Sequence, residues 1–207
     1  MNFREEFRGP DFDPELKWYN RPPEYSLAGG LSSDVLAEGL SIRPAKNTDF
    51  WQKTYYGFTP DNGHFLGLEL CGNFVLETHV HFRFASQFDQ AGLMVRTGPE
   101  HWLKTGVEHQ LQGPSSLGVV MTHVSSDWSI ADFEGSEVYL RVKRIGDAFG
   151  VYHAADGQNW RLMRLGELRL GDPVQAGLYA CCPIDAGSEV RFDYLDVSPI
   201  IDEKFHD

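Results

Sequence analysis

The sequence has no long apolar run. Nowhere does it approach the ~20 consecutive apolar residues of a membrane-spanning helix. The opening Met1-Asn2-Phe3-Arg4-Glu5-Glu6-Phe7 lacks the apolar stretch of a secretory signal, so neither a span nor a signal is expected. Basic charge is scarce: 18 Lys and Arg stand against 30 Asp and Glu, a net charge of −12. Such a field repels phosphate backbones and anionic lipid, and no local Lys/Arg cluster offsets it. Nucleic acid and membrane are therefore excluded as expected partners, and the acidity serves solubility. Cysteine is sparse too. Cys71, Cys181 and Cys182 are odd in number with two adjacent, which gives neither a disulfide framework nor a zinc spacing. They read as reduced thiols, buried in strands of a cytoplasmic protein. Internal repeats, low-complexity tracts and long amphipathic helices are also missing; residues 33–40 offer at most a short helical turn.

What remains is alternation. From 74 to 84 the even positions are Phe74, Leu76, Thr78, Val80, Phe82 and Phe84, while the odd ones are Val75, Glu77, His79, His81 and Arg83. A period of two with one apolar face marks a half-buried strand. Residues 91–96, 101–111, 117–124, 138–144, 149–154, 160–165, 175–182 and 189–197 read the same way. Thr97-Gly98-Pro99-Glu100, Gly113-Pro114, Gly146-Asp147 and Asp156-Gly157 punctuate them as turns. Strands at about 8–12-residue spacing build a sandwich or barrel. The Pro-rich first 60 residues are expected to give an edge strand plus loops that wrap it. At 207 residues, 42% hydrophobic and 13% aromatic, the chain fits a single globular domain over 1–207.

Particular blocks carry a resemblance. Residues 50–57 (Phe50-Trp51-Gln52-Lys53-Thr54-Tyr55-Tyr56-Gly57), 88–96, 102–108 and Ser126-Asp127-Trp128-Ser129 resemble the DUF1349, regulation-of-enolase-like family. Asp156-Gly157-Gln158-Asn159-Trp160 and Phe192-Asp193-Tyr194 are similar to motifs of the wider concanavalin A-like lectin/glucanase superfamily. The resemblance implies an all-β, concanavalin A-like jelly-roll β-sandwich of two antiparallel sheets, with ligands on the concave face of one sheet. It also implies a second role, an intracellular interaction protein that modulates a metabolic enzyme. Fold alone assigns neither.

Alternation groups Gln90, Met94 and Arg96 on one side of their strand, and Trp102, Lys104, Glu108 and Gln110 on one side of the next, opposite Leu103, Val107 and Leu111. Paired, these two strands make one polar wall. A sugar suits such a wall, because an indole stacks on its C–H face while amides and carboxylates fork onto its hydroxyls. Trp51, Trp102 and Trp128 are the candidate platforms, with Gln90, Arg96, Lys104, Glu108 and Asp127 as polar partners. The plain alternative is a solvated face with a weak Lys104–Glu108 pair. Residues 125–129 read as a polar loop whose Trp128 either contacts a ligand at the rim or caps the sandwich.

Glycoside hydrolysis needs two carboxylates, ~5–5.5 or ~6.5–9.5 Å apart. The resemblance implies Glu-x-Asp-x-x-Glu or Glu-x-Asp-x-Glu on one strand of a retaining glucanase, and neither pattern occurs. Glu108 is the best catalytic candidate, with Glu77 or Asp127 as a cross-strand partner, but a non-catalytic carbohydrate- or small-ligand-binding module is the leading expectation. His79 and His81, two apart on one strand, are candidate transition-metal ligands if a third joins them; plain strand histidines are the alternative. The resemblance implies that Asp193 could bind a structural Ca²⁺ with N-terminal acids, here Glu5-Glu6-Phe7. No nucleophile elbow, phosphate loop or dinucleotide fingerprint is present, and no cofactor is expected.

Overall fold

A chain that alternates polar and apolar residues must press one face of every strand against something apolar, and two sheets facing each other meet that demand mutually. The computed structural model describes residues 1–27 and 38–205. Residues 33–37 of the expected helical turn, and the last two residues, lie outside them. Among the described residues there is no helix. The strands are β1 (Phe3–Glu5), β2 (Lys17–Tyr19), β3 (Glu24–Leu27), β4 (Leu40–Arg43), β5 (His64–Leu70), β6 (Phe74–Arg83), β7 (Gln90–Gly98) and β8 (His101–Glu108). They continue with β9 (Ser115–His123), β10 (Ser125–Phe133), β11 (Glu137–Ile145), β12 (Ala148–Ala154), β13 (Arg161–Glu167), β14 (Val174–Cys181) and β15 (Glu189–Ser198).

One sheet runs β13-β12-β11-β6-β15-β4-β3, with β1 also paired to β15, and the other runs β10-β9-β8-β7-β14-β5-β2. Every pairing between named strands is antiparallel. Between the sheets lies the core, in which Leu66, Leu93, Leu103, Leu140, Phe149 and Phe192 are fully buried. Each such side chain stabilises the fold by about 1.5–3 kcal/mol relative to leaving it in water. Turns fall where the sequence places them. Gly146 (φ 58°) closes β11–β12 and Gly157 (φ 68°) closes β12–β13. At the second turn, Asp156 Oδ1 accepts the backbone N–H groups of Asn159 and Gln158 at 2.8 and 2.9 Å.

Some expectations change. Residues 125–129 are not a loop but the start of β10, an edge strand with no apolar alternation to announce it, since most of its residues face solvent. The strand from 101 ends at Glu108, so Leu111 is exposed rather than inward. Among its described residues the N-terminal region supplies four short strands where one edge strand was expected. Cys181 and Cys182 are buried, but Cys71 sits exposed at the turn after β5.

Two irregularities position the candidate sites. β15 carries a bulge between Phe192 and Tyr194, so Asp193 is an extra residue without a partner on β6. Gly92, Gly106 and Gly118 lie in register across β7, β8 and β9. A side-chain carbon at 106 would clash with the Ala91 carbonyl and meet the Tyr179 hydroxyl at 2.9 Å, so glycine there makes room for the neighbouring backbone and for Tyr179.

Candidate functional site

The outer face of the seven-stranded sheet is the polar wall expected from the sequence. Register puts Gln90 beside Glu108, Met94 beside Lys104 and Arg96 beside Trp102, and then Lys104 beside Val120 and Val120 beside Trp128. The wall is not open. A hairpin-like strap, residues 46–62, crosses it. Lys46 bridges Cys182, and Thr48 N–H donates to the Cys182 carbonyl at 3.2 Å. The strap then reaches β10, where Ser126 N–H donates to the Gln52 carbonyl and Gln52 N–H to Ser126 Oγ, both at 2.9 Å. It returns through a bridge between Phe50 and Asp61.

Phe50 is the anchor. It is fully buried, with Trp102 and Tyr179 edge-on to it at 6.4 Å. Together with Trp51, Phe65, Met94, Val120 and Cys181 these rings form a second apolar cluster, separate from the core between the sheets. The polar residues of the wall bind the strap. Lys104 Nζ donates to the Phe50 carbonyl and to Gln90 Oε1, both at 2.7 Å, and pairs with Asp49 at 3.4 Å. Arg96 pairs with Asp61 at 2.8 Å and lies on the Tyr19 ring at 4.1 Å. Trp102 is fully buried and donates Nε1–H to the Pro99 carbonyl at 2.9 Å. Gln90, Arg96, Trp102 and Lys104 thus gather on one face, as alternation requires, but beneath the chain's own cover. Asp49 and Asp61 belong to this network and escaped sequence reading, because nothing in a loop's composition says which face it crosses; Tyr179 of β14 joins them through the pairing of β14 with β7, which sequence does not reveal.

Glu108 sits at the end of this wall. Burial pushes its carboxyl up to about 7 against the lowering effect of Lys104, Asp49 adds to the rise, and a hydrogen bond from Gln110 Nε2 at 3.1 Å lowers it. Neither partner named for it is within reach. Glu77 lies on the outer face of the opposite sheet, paired with Arg141 at 2.6 Å, and Asp127 pairs with Arg164 at 2.7 Å. The carboxylate pairs expected for hydrolysis therefore do not form.

Beyond the strap, the rim stays open. Trp51, Thr54, Tyr55, Tyr56, Ser126, Asp127 and Trp128 line a groove of about 450 Å³. Trp128 stands edge-on to Trp51 at 6.0 Å, and Tyr56 packs on Trp51 at 5.8 Å and on Phe58 at 5.4 Å. The tip of the strap is bent hard: Lys53, Tyr55 and Gly57 have φ of 61°, 61° and 75°. For the two non-glycines this left-handed backbone costs of order 1–2 kcal/mol each. It holds Tyr55 out with 94% of its surface exposed.

On the outer face of the eight-stranded sheet, His79 and His81 of β6 meet the bulged Asp193. Asp193 Oδ2 lies 2.6 Å from His79 Nδ1 and 3.0 Å from His81 Nε2. Burial acts to raise the Asp193 carboxyl, but hydrogen bonds from both imidazoles outweigh it and hold the group far below the usual carboxylate range. The N-terminal acids are engaged elsewhere: Glu5 accepts the N–H groups of Phe7 and Asp13 at 2.7 Å, and Glu6 pairs with Arg4 and Arg8. The oxygen-rich pairing expected for Ca²⁺ is thus replaced by an imidazole–carboxylate set. Glu137 of β11 completes it, 2.8 Å from His81 Nδ1. No sequence signal pointed to Glu137; only strand register brings it there.

Two antiparallel sheets with a short-stranded N-terminal wrap make a jelly-roll sandwich. A structure described as "Bacteroides ovatus Xyloglucan PUL GH43B" shares this fold, with a TM-score of 0.75 and 16% identity, covering 95% of this chain and 39% of that one. So does a pseudo beta-1,3-glucanase of Mycobacterium tuberculosis, with a TM-score of 0.54 and 15% identity, covering 96% and 98% of the two chains. The chain itself belongs to the DUF1349 family, described as a protein of unknown function, whose pattern matches residues 18–200. "Regulation of enolase protein 1" of Saccharomyces cerevisiae is 33% identical over 192 residues, 92% of each chain. A yeast crystal structure described as a functionally unknown protein superposes with a TM-score of 0.82 at 33% identity, over 91% of this chain and 98% of that one. No helix among the described residues is long and apolar enough to cross a membrane.

Proposed function

We infer that this is a non-catalytic, cytoplasmic binding module whose ligand, a carbohydrate or a molecule of similar chemistry, occupies the aromatic groove between Trp51 and Trp128. The observation that carries this reading is the division of the polar wall. The strap consumes its middle, and what stays accessible is a groove of about 450 Å³ walled by indoles and tyrosines, within the size range of small-ligand sites. Stacking on indole faces supplies affinity for the C–H side of a sugar ring, and Asp127, largely exposed, supplies an acceptor at the edge. Titration calorimetry against a broad panel of mono- and oligosaccharides tests it. Binding is expected in the wild type, with a loss of roughly tenfold in Trp128→Ala, the scale of one aromatic contact. No heat across the panel would overturn it.

A second reading has its own observation. Tyr55 is almost wholly exposed on a strained tip beside Tyr56 and Phe58, and exposed aromatics in that form suit a protein partner. The name of the yeast relative makes enolase the first partner to try. If enolase turnover responds to the protein, and Tyr55→Ser abolishes the response while the sugar panel is silent, the groove is a docking surface for protein.

A further inference from the structure

Two imidazoles from β6, a carboxylate from β15 and another from β11 converge on one patch of the eight-stranded sheet. Donor atoms of His79, His81 and Asp193 all lie within 4.8 Å of one another. We propose that His79 Nδ1, His81 Nε2 and Asp193 Oδ2 bind a divalent transition-metal ion such as Zn²⁺, with Glu137 orienting the imidazoles from behind and water completing the shell.

Ligand chemistry selects the ion. Two imidazoles and one carboxylate suit zinc and its neighbours, whereas Ca²⁺ takes six to eight oxygens. Hydrogen-bond accounting points the same way. One oxygen of Asp193 now serves both rings. His79 is only 6% exposed, its ring flat on Tyr139 at 3.7 Å, and its Nε2 has no hydrogen-bond partner. A buried ring nitrogen left that way is rare and unfavourable. With a metal on Nδ1, the proton of a neutral imidazole resides on Nε2, which faces Glu137 Oε2 at 4.0 Å. Glu137 is half exposed, and a small shift of its carboxylate lets it serve His79 while it keeps its contact with His81. His81 already stands in the corresponding relation, Nδ1 lying 2.8 Å from the same oxygen while Nε2 faces Asp193. A histidine that ligates through one nitrogen and donates the other N–H to a carboxylate is the usual outer arrangement of metal sites.

The backbone supports the geometry. Asp193 is the extra residue of the bulge, and bulges re-aim side chains in this way. Arg191 Nε lies 3.2 Å from its other oxygen, an ion-pair contact without hydrogen-bond geometry, while Oδ2 faces the imidazoles. Tetrahedral coordination separates ligand atoms by about 3.3 Å, so the present 2.6 and 3.0 Å contacts must open by less than an ångström. His81 and Asp193 remain 23% and 32% exposed, which gives an ion access from solvent.

The test uses the whole chain, stripped with a chelator and then titrated with Co²⁺, read by its visible absorption, and with Zn²⁺, read by calorimetry. One equivalent is expected, with a Co²⁺ spectrum of low coordination number. Binding should be lost in Asp193→Asn and in His81→Gln, and weakened roughly 10–100-fold in Glu137→Gln. It should be unchanged when His101 and His123, whose rings lie 4.9 Å apart at the surface, are both replaced by Gln. No uptake by the wild type, or uptake that survives both ligand variants, overturns the proposal. If the ligand variants do not fold, Glu137→Gln decides, because its side chain is half exposed: undiminished affinity there counts against the site.

Discussion

The two sheets turn very different outer faces outward. On the seven-stranded sheet, Lys104, Arg96 and Gln90 meet the chain's own strap, and the three hydrogens of Lys104 are matched by Phe50, Gln90 and Asp49. On the eight-stranded sheet, His79, His81, Asp193 and Glu137 meet one another, with Tyr139 stacked on His79 and Arg191 near Asp193; all but His79 are partly exposed, and a His79 ring nitrogen is left over. A buried ammonium is tolerated only when its partners are fixed, since desolvation costs several kcal/mol. The first set of charges is therefore structural. The second is free to exchange partners, and that is the property a binding site needs.

Cutting the strap's anchor gives the largest expected effect. Phe50→Ala should lower unfolding free energy by about 3–5 kcal/mol, because it empties a packed ring site and loosens the cover over Lys104. Arg141→Met on the opposite face, which breaks the Glu77 pair, should cost at most about 1 kcal/mol. Urea denaturation measures both, and equal losses would erase the distinction between the faces.

An intermediate effect comes from Glu108. Its carboxyl rises from 4.5 to about 7 on folding, so the folded state binds this proton more tightly than the unfolded one. The stability it permits is whole below pH 4.5 and falls as pH rises to 7. Glu108→Gln should flatten that slope and stabilise the protein by about 2–3 kcal/mol at pH 8, a figure discounted for partial exposure. Thermal melts across this range check it; a slope that persists in the variant would place the buried proton elsewhere.

The smallest effect is at the strap's tip. Tyr55→Gly removes a fully exposed ring and suits the left-handed backbone. Relief of the left-handed strain is partly offset by glycine's chain entropy, about 0.5–1 kcal/mol, so stability should rise by no more than about 1 kcal/mol, while any partner that grips the ring is lost. Calorimetric melting beside a binding assay separates the two.

The fold was legible because alternation is a local signal. The even positions of 74–80 are inward as the pattern demands, and the wall from Gln90 to Glu108 gathers on one face. β10 was not legible, since an edge strand with both faces wet has no apolar rhythm to display. The site was half legible. Period two places Trp102 and Lys104 on the outer face, but it is blind to residues 46–62, where Trp51 was expected as a ligand platform and Phe50, not singled out, proves to be the seal. The meeting of Asp193 with His79 required the register of β15 and a bulge, and neither leaves a mark in composition.

The strap also imposes an order of events on a growing chain. Phe50 and Trp51 leave the ribosome early, yet the surface they close over is finished only with Cys181 on β14. That is about 130 residues later, or roughly 6–26 s at ordinary synthesis rates. For that interval two large rings have no native home, so chaperone attendance and premature self-association should focus on this segment of the nascent chain.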